Sequence, residues 1–210
     1  MRPYYISIED ELQYEKKIYT EELREEDWEY LKEASELFLI HAYSHLVETP
    51  LEGYEVFGDT SYTTKYSQFY LNLAVGLELL LKSILLKKGV KINLSPARTI
   101  QFGHIIGDHL GKIFPKLGEN TLEEIKHTLE LINLKRNNIA HRSKRSYDHY
   151  AYEHRFSYMT LYIYEECFYG GNPELTELLL KSINRSKVAT GADFKPLRIK
   201  PRSLREKSSP

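Results

Sequence analysis

The sequence predicts an all-α protein, and three observations carry that reading. Apolar residues recur at three- and four-residue intervals through almost every ordered stretch, the pattern of amphipathic helices. No two alternating segments read as a convincing strand pair. Short runs rich in Gly, Pro, Asn and Ser punctuate the periodic segments. No internal repeat is visible, so the expectation is five or six helices around one core.

The first long helix is expected from Thr20 to Leu46, with Trp28, Leu31, Ser35, Phe38, Ala42 and His45 as its stripe. Thr20 reads as its N-cap, with acids in the first turn. Residues 48–62 hold Pro50, Gly53 and Gly58 and read as a loop. The strongest stripe follows from about Thr64 to Lys88: Tyr66, Phe69, Tyr70, Leu73, Leu77, Leu80, Leu81 and Ile84. Gly89 reads as its C-cap.

"KINLSPART" reads as a linker, and "FGHIIGDHLGKIFPKL" as a shorter helix stopped near Pro115. Thr121 and Glu124 then form a candidate capping box. The helix behind them carries Leu122, Ile125, Leu129 and Ile132, and four residues further on lies Arg136. After the basic loop "RSKRSYD", Asp148 is expected to cap a helix through Tyr169. "GGNP" breaks the chain before a short helix from Pro173 to about Ile183. The tail beyond has little apolar content and is expected to be flexible.

The chain's 210 residues suffice for a substantial core, and 41% hydrophobic with 28% charged content marks a globular rather than disordered protein. Asn72, Glu78 and Lys82 interrupt the most apolar stretch, so a membrane span is not expected. The first seventeen residues lack the apolar segment of a signal peptide. Cys167 is the one cysteine, which rules out an internal disulfide and makes a cytoplasmic location the expectation.

The net charge of −1 conceals an asymmetry. Residues 1–60 carry an excess of about eleven acids, and residues 183–210 an excess of about six bases. Such runs are commonly solvated faces, but basic stretches also hold polyanions. An acidic N-terminal segment would then compete for the same basic surface.

"LKRNNIAHR", residues 134–142, carries the candidate chemistry. Asn137 and His141 stand at i and i+4 and share a helix face. Arg136 lies about 100° round, at the edge of the stripe that Leu129 and Ile132 hold in the core. A held guanidinium pairs with phosphate, and its charge keeps a nearby imidazole neutral. RNA supplies its own nucleophile, the 2′-hydroxyl. An RNA-cleaving enzyme therefore needs a base for that proton and positive charge for the developing phosphorane. His141 suits the first role, Arg136 the second, and Asn137 can orient either partner. From spacing alone, a cation-decorated helix C-terminus explains the same residues.

The motif and its surroundings resemble the HEPN superfamily of helical bundles, over about residues 64–169. "RNNIAH" fits the family's Arg, polar residue and His pattern. "ELLLKSIL", Glu78 to Leu85, matches an earlier Glu-Leu-x-x-Lys-x-x-Leu helix, with Lys82 in place. "GHIIGDHLGKIF", from Gly103, matches the start of the next helix. The resemblance implies a four- to five-helix core and a homodimer in which two Arg136/His141 helices form one cleft. It implies metal-independent endoribonuclease activity, without cofactor or metal, in a toxin–antitoxin pair or in phage defence. It also implies that Glu78 holds the arginine or histidine. A non-catalytic helical module, binding a partner protein or nucleic acid, is the alternative.

On this reading residues 1–63 are an acidic helical extension packed on the core, 64–184 the HEPN-like bundle and 185–210 a basic flexible tail. Arg142, Lys144, Arg145 and Lys82 are expected to track RNA phosphates, and Tyr147 (or Tyr150) to stack a base. Most of the other tyrosines of residues 152–169 are expected in the core or an interface. His41 and His45 have a metal-clamping spacing but no third ligand, and read as half-exposed side chains. His104 and His109 read as packing or capping residues. "GxSxG", "HExxH" and Gly-rich phosphate loops do not occur.

Overall fold

The computed structural model describes residues 8–48, 60–95, 98–142, 150–168, 171–190 and 197–206; the side chains of 9–11, 18–20, 60–65, 141–142, 150–152 and 187–190 lie outside that description. The fold is an all-α bundle. Its helices are α1 (Ile8–Thr20), α2 (Trp28–Glu48), α3 (Thr60–Lys87), α4 (Phe102–His104), α5 (Leu110–Ile113), α6 (Glu119–Arg142), α7 (Tyr150–Cys167), α8 (Pro173–Thr190) and α9 (Arg202–Glu206). A π-helical turn, Ile105–His109, joins α4 to α5.

The long helices pack in a ring. α6 lies on α3, α3 on α2, α2 on α8 and α8 on α7, and α7 touches α3 and α6 to close the core. α3 is the central element. Its stretch Tyr66–Lys87 is apolar and long enough to cross a membrane, but most of it is buried inside the bundle. It is therefore a core helix. Gly76 lets α2 approach closely, since a β-carbon there would stand 2.8 Å from Leu39 Cγ. Gly89 ends α3 at φ +68°, with its amide on Leu86 O and the Val90 amide on Leu85 O, which is a Schellman motif. The expected C-cap is thus in place.

Several boundaries differ from the expectation, each for a local reason. Thr20 closes α1 rather than opening α2; the start of α2 is set by a 3-10 turn, Glu25–Asp27, in which the Arg24 amide donates to Asp27 Oδ2 at 2.7 Å. The buried face of α2 is turned by about one residue, to Ser35, Leu39, Ala42, Tyr43 and Leu46. That face sits between α3 and α8, so α2 belongs to the core, and among the described residues it is α1 that extends from it.

The segment read as a linker contains a short antiparallel pair, β1 (Asn93–Ser95) with β2 (Arg98–Thr99). α6 begins at Glu119, two residues before Thr121, and the Glu124 carboxylate accepts the Arg198 amide at 2.9 Å instead of closing a capping box. Of the loop expected at 48–62, Glu48 closes α2 and 60–62 open α3, while 49–59, like Asp148 and Tyr169, lie outside the described residues.

The C-terminal region departs furthest. α8 runs to Thr190, well past Ile183. Asn172 caps it, its Oδ1 accepting the amides of Glu174 and Leu175, with Pro173 at the first helical position. Residues 197–206, expected to be flexible, dock on the bundle. Leu197 and Ile199 are buried, and Arg202 and Arg205 reach Glu166. Two isolated apolar side chains and a set of ion pairs anchor a segment whose composition reads as a tail.

Candidate functional site

The candidate site lies where α3, α6 and the β1–β2 pair meet. Leu77, Leu80, Leu81 and Ile84 turn one face of α3 into the core, which leaves Glu78 and Lys82, at i and i+4, on its margin. Lys82 is 8% exposed. Its ammonium donates to Glu78 Oε1 at 2.7 Å and to Thr99 Oγ1 at 3.0 Å.

α6 brings the second cation. Ile125, Leu129 and Ile132 are fully buried, and the stripe continues to Lys135 at i+3. The Lys135 ammonium lies over the Tyr70 ring, 4.5 Å from its centroid, a cation–π contact in a desolvated place. The next residue, Arg136, emerges at the margin as expected. Its Nη1 stands 3.8 Å from Glu78 Oε2, and its side chain is 33% exposed. One carboxylate oxygen of Glu78 therefore faces each cation.

At 3.8 Å the Glu78–Arg136 contact is an ion pair without a hydrogen bond. Glu78 thus faces the guanidinium as a charge and not as a hydrogen-bond acceptor. Asn137 is half-buried beside it. The α6 backbone continues in helical form through His141, so Asn137 and His141 occupy one face. The side chains of His141 and Arg142 lie outside the described residues, as do Lys144, Arg145 and Tyr147.

The structure thus unites Glu78, Lys82 and Arg136. Lys82, expected to track RNA phosphates, has its ammonium buried and engaged by Glu78 and Thr99. Two contributors escaped the sequence reading. Thr99 was hidden in an apparent linker. Lys135 was legible as the i+3 continuation of the stripe, one helix away from an aromatic-rich face.

The "GHIIGDH" segment also borders this region. A β-carbon on Gly103 would lie 3.9 Å from Asn133 Nδ2, so the start of α4 rests against α6 one turn before Arg136 and Asn137. His104 is exposed rather than packed. His109 encloses its Nδ1 without a hydrogen-bond partner among the described residues, and burial, followed by the nearby Lys112 charge, lowers its pKa.

Two cavities lie elsewhere. One, of about 1040 Å³, has an acidic rim at Glu21–Asp27 and an apolar floor of Leu31, Leu86, Val90 and Ile92. The other, of about 450 Å³, lies among Ile113, Phe114, Tyr162 and Cys167. Glu78, Arg136 and Asn137 line neither. Among the described residues there is no cluster of three or more metal-ligating side chains; His41 is exposed, with its ring 6.1 Å from that of His45. Of the tyrosines expected in the core, Tyr158, Tyr162 and Tyr164 are buried, while the side chains of Tyr150 and Tyr152 lie outside the description.

Comparison with known proteins finds no matching family model, no matching curated protein and no matching solved structure.

Proposed function

We propose that this chain is a metal-independent endoribonuclease of the HEPN type. The observation that carries the reading is the Glu78–Arg136 pair: a marginal arginine, aligned by a buried-edge carboxylate, five residues before a histidine on one helix. The resemblance of "RNNIAH" and "ELLLKSIL" to the family motifs supports it.

In the proposed reaction His141 takes the proton of the substrate 2′-hydroxyl. The 2′-oxygen attacks phosphorus, and the bond from phosphorus to the 5′-oxygen breaks. Arg136 stabilises the charge that develops on the phosphoryl oxygens. Asn137 orients the imidazole or a phosphate oxygen. The departing 5′-oxygen takes a proton from His141 of the second copy in the homodimer. Products carry a 2′,3′-cyclic phosphate and a 5′-hydroxyl, and DNA is not a substrate. Arg142, Lys144 and Arg145 hold flanking phosphates, and Tyr147 stacks an unpaired base. Such an enzyme acts in the cytoplasm as a toxin or anti-phage effector restrained by an antitoxin protein.

The alternative, a non-catalytic binding module, would use the tyrosine-rich helix α7 or the basic tail. Arg198, Arg202 and Arg205 of that tail are engaged with Glu124 and Glu166, which weakens the tail as the binding surface.

The test is purified protein on total RNA with a chelator present. Wild type should cleave and leave cyclic phosphate ends. His141→Ala should slow cleavage by about 10²–10⁴-fold and Arg136→Ala by about 10²–10³-fold. Equal cleavage by wild type and His141→Ala, or none by wild type, refutes the reading.

A further inference from the structure

We propose that the cavity of about 450 Å³ beside the end of α3 binds a small amphipathic anion, an alkyl chain ending in a carboxylate. The inference is independent of the ribonuclease reading, since Glu78, Arg136 and Asn137 do not border this cavity. Size, lining and charge each narrow the ligand.

The cavity lies among α3, α5, α7 and α9, each of which supplies part of its wall. Its volume falls in the lower part of the range, roughly 300–1,000 Å³, that holds small molecules.

Ile84, Ile113, Phe114, Leu117 and Tyr162 give the cavity an apolar wall. The rings of Phe114 and Tyr162 are in contact, with centroids 6.1 Å apart and planes at 34°. A flat ring cannot slide between them without parting them, whereas a flexible chain lies against both.

Charge identifies the head group. Lys87, Lys88 and Lys116 border the same cavity. Glu166 borders it too, but its charge is offset by Arg202 and Arg205. The Lys88 ammonium donates to Lys112 O at 3.0 Å and Ile113 O at 2.8 Å, which leaves one of its three protons. The Lys87 ammonium rests over the rings of Trp28 and Phe168, 4.6 and 4.8 Å from their centroids. Such a contact is weak at an exposed position, and a carboxylate draws the ammonium away from it. Lys116 is exposed, with no ion pair or hydrogen bond among the described residues. Like charges gathered at the rim of an apolar cavity favour an anion. Because the Arg202 guanidinium is held by Glu166, the head group meets compact ammonium charges rather than a planar fork, which suits a single carboxylate.

The test is calorimetric titration of the full chain with decanoate, which should bind one molecule per chain. Octanoate and hexanoate should bind progressively more weakly, by up to about fourfold for each methylene removed. Decyltrimethylammonium, with the same chain and the opposite charge, should not bind. The doubly substituted Lys87→Gln, Lys116→Gln protein should weaken decanoate binding by about three- to tenfold. Lys181→Gln, on α8, should leave it unchanged. Trp28, the one tryptophan, reports the place. Its emission should change with decanoate in wild type, as Lys87 leaves its ring, and stay constant in Lys87→Gln. No decanoate binding, binding that ignores chain length or head charge, or full affinity in the double variant overturns the proposal. Decanoate binding with constant Trp28 emission in wild type puts the ligand elsewhere and overturns it as well.

Discussion

Arg136 Nη1 lies 3.8 Å from Glu78 Oε2, and this contact ties the motif-bearing turn of α6 to the central helix α3. The other oxygen of Glu78 accepts from Lys82 at 2.7 Å. One carboxylate thus balances two cations at the edge of the core. Lys82 is the more deeply placed, so it depends more on that charge than the part-exposed Arg136, whose share is screened by solvent.

Glu78→Gln keeps an oxygen for Lys82 but removes the charge. Stability should fall by about 1–3 kcal/mol, read as a lower urea midpoint at unchanged slope. If the ribonuclease reading holds, cleavage should fall as well, since the guanidinium loses its orienting partner. A midpoint equal to that of wild type would mean that the three groups are hydrated and do not act together.

How much of this was legible in the sequence depends on how far each feature is local. The α3 stripe, its glycine terminus and the marginal position of Arg136 follow from periodicity and capping, which operate within a few residues. The phase of α2 was misjudged because that helix is apolar on two sides, so periodicity does not say which one is buried. Residues 197–206 were read as flexible because their docking depends on Glu124 and Glu166, far away in sequence. The pairing of Glu78 with Arg136 came from family resemblance, because 58 positions of separation leave no periodic trace. Thr99 belongs to the same class of long-range contact, whereas the buried position of Lys135 follows from the stripe and only its Tyr70 partner does not.

Gly171 marks a second close approach. A β-carbon there would overlap the Tyr164 ring and hydroxyl. That hydroxyl donates to Glu36 and accepts the Asn172 amide, and Glu36 also pairs with Lys32 at 2.6 Å. The network joins α2, α7 and the cap of α8. Gly171→Ala should therefore cost about 1–3 kcal/mol. Gly107→Ala, where a β-carbon meets nothing within 4 Å, serves as the control and should stay within about 0.5 kcal/mol of wild type. Thermal melting of the pair makes the comparison, and similar losses in both would reject the steric argument.

Cys167 should be slow to react. Burial pushes its thiol up to about 11, with Lys88 only partly opposing the effect. At pH 8 the thiolate fraction is then about 10²-fold below that of a thiol titrating at 9.0, the ordinary value. Alkylation by iodoacetamide should accelerate by about that factor when the protein is unfolded in urea. Equal rates in the native and unfolded states would place the sulfur in water.

His109 gives stability an acid-side dependence. Burial and the nearby Lys112 hold its pKa below the ordinary 6.5, and its Nδ1 has no hydrogen-bond partner among the described residues. A base whose pKa is lowered by folding binds its proton more readily in the unfolded chain. Its contribution is therefore complete above pH 6.5 and is lost as pH falls through the lower native value. Replacing His109 with leucine removes the titrating group and suits the apolar surroundings of Ile105, Ile106 and Leu110 in the same turn. Between pH 7.5 and pH 5 the urea midpoint of wild type should fall by more than that of His109→Leu, so the difference between the two shifts in favour of the variant on acidification. Parallel curves across that range would show that the imidazole titrates alike in both states.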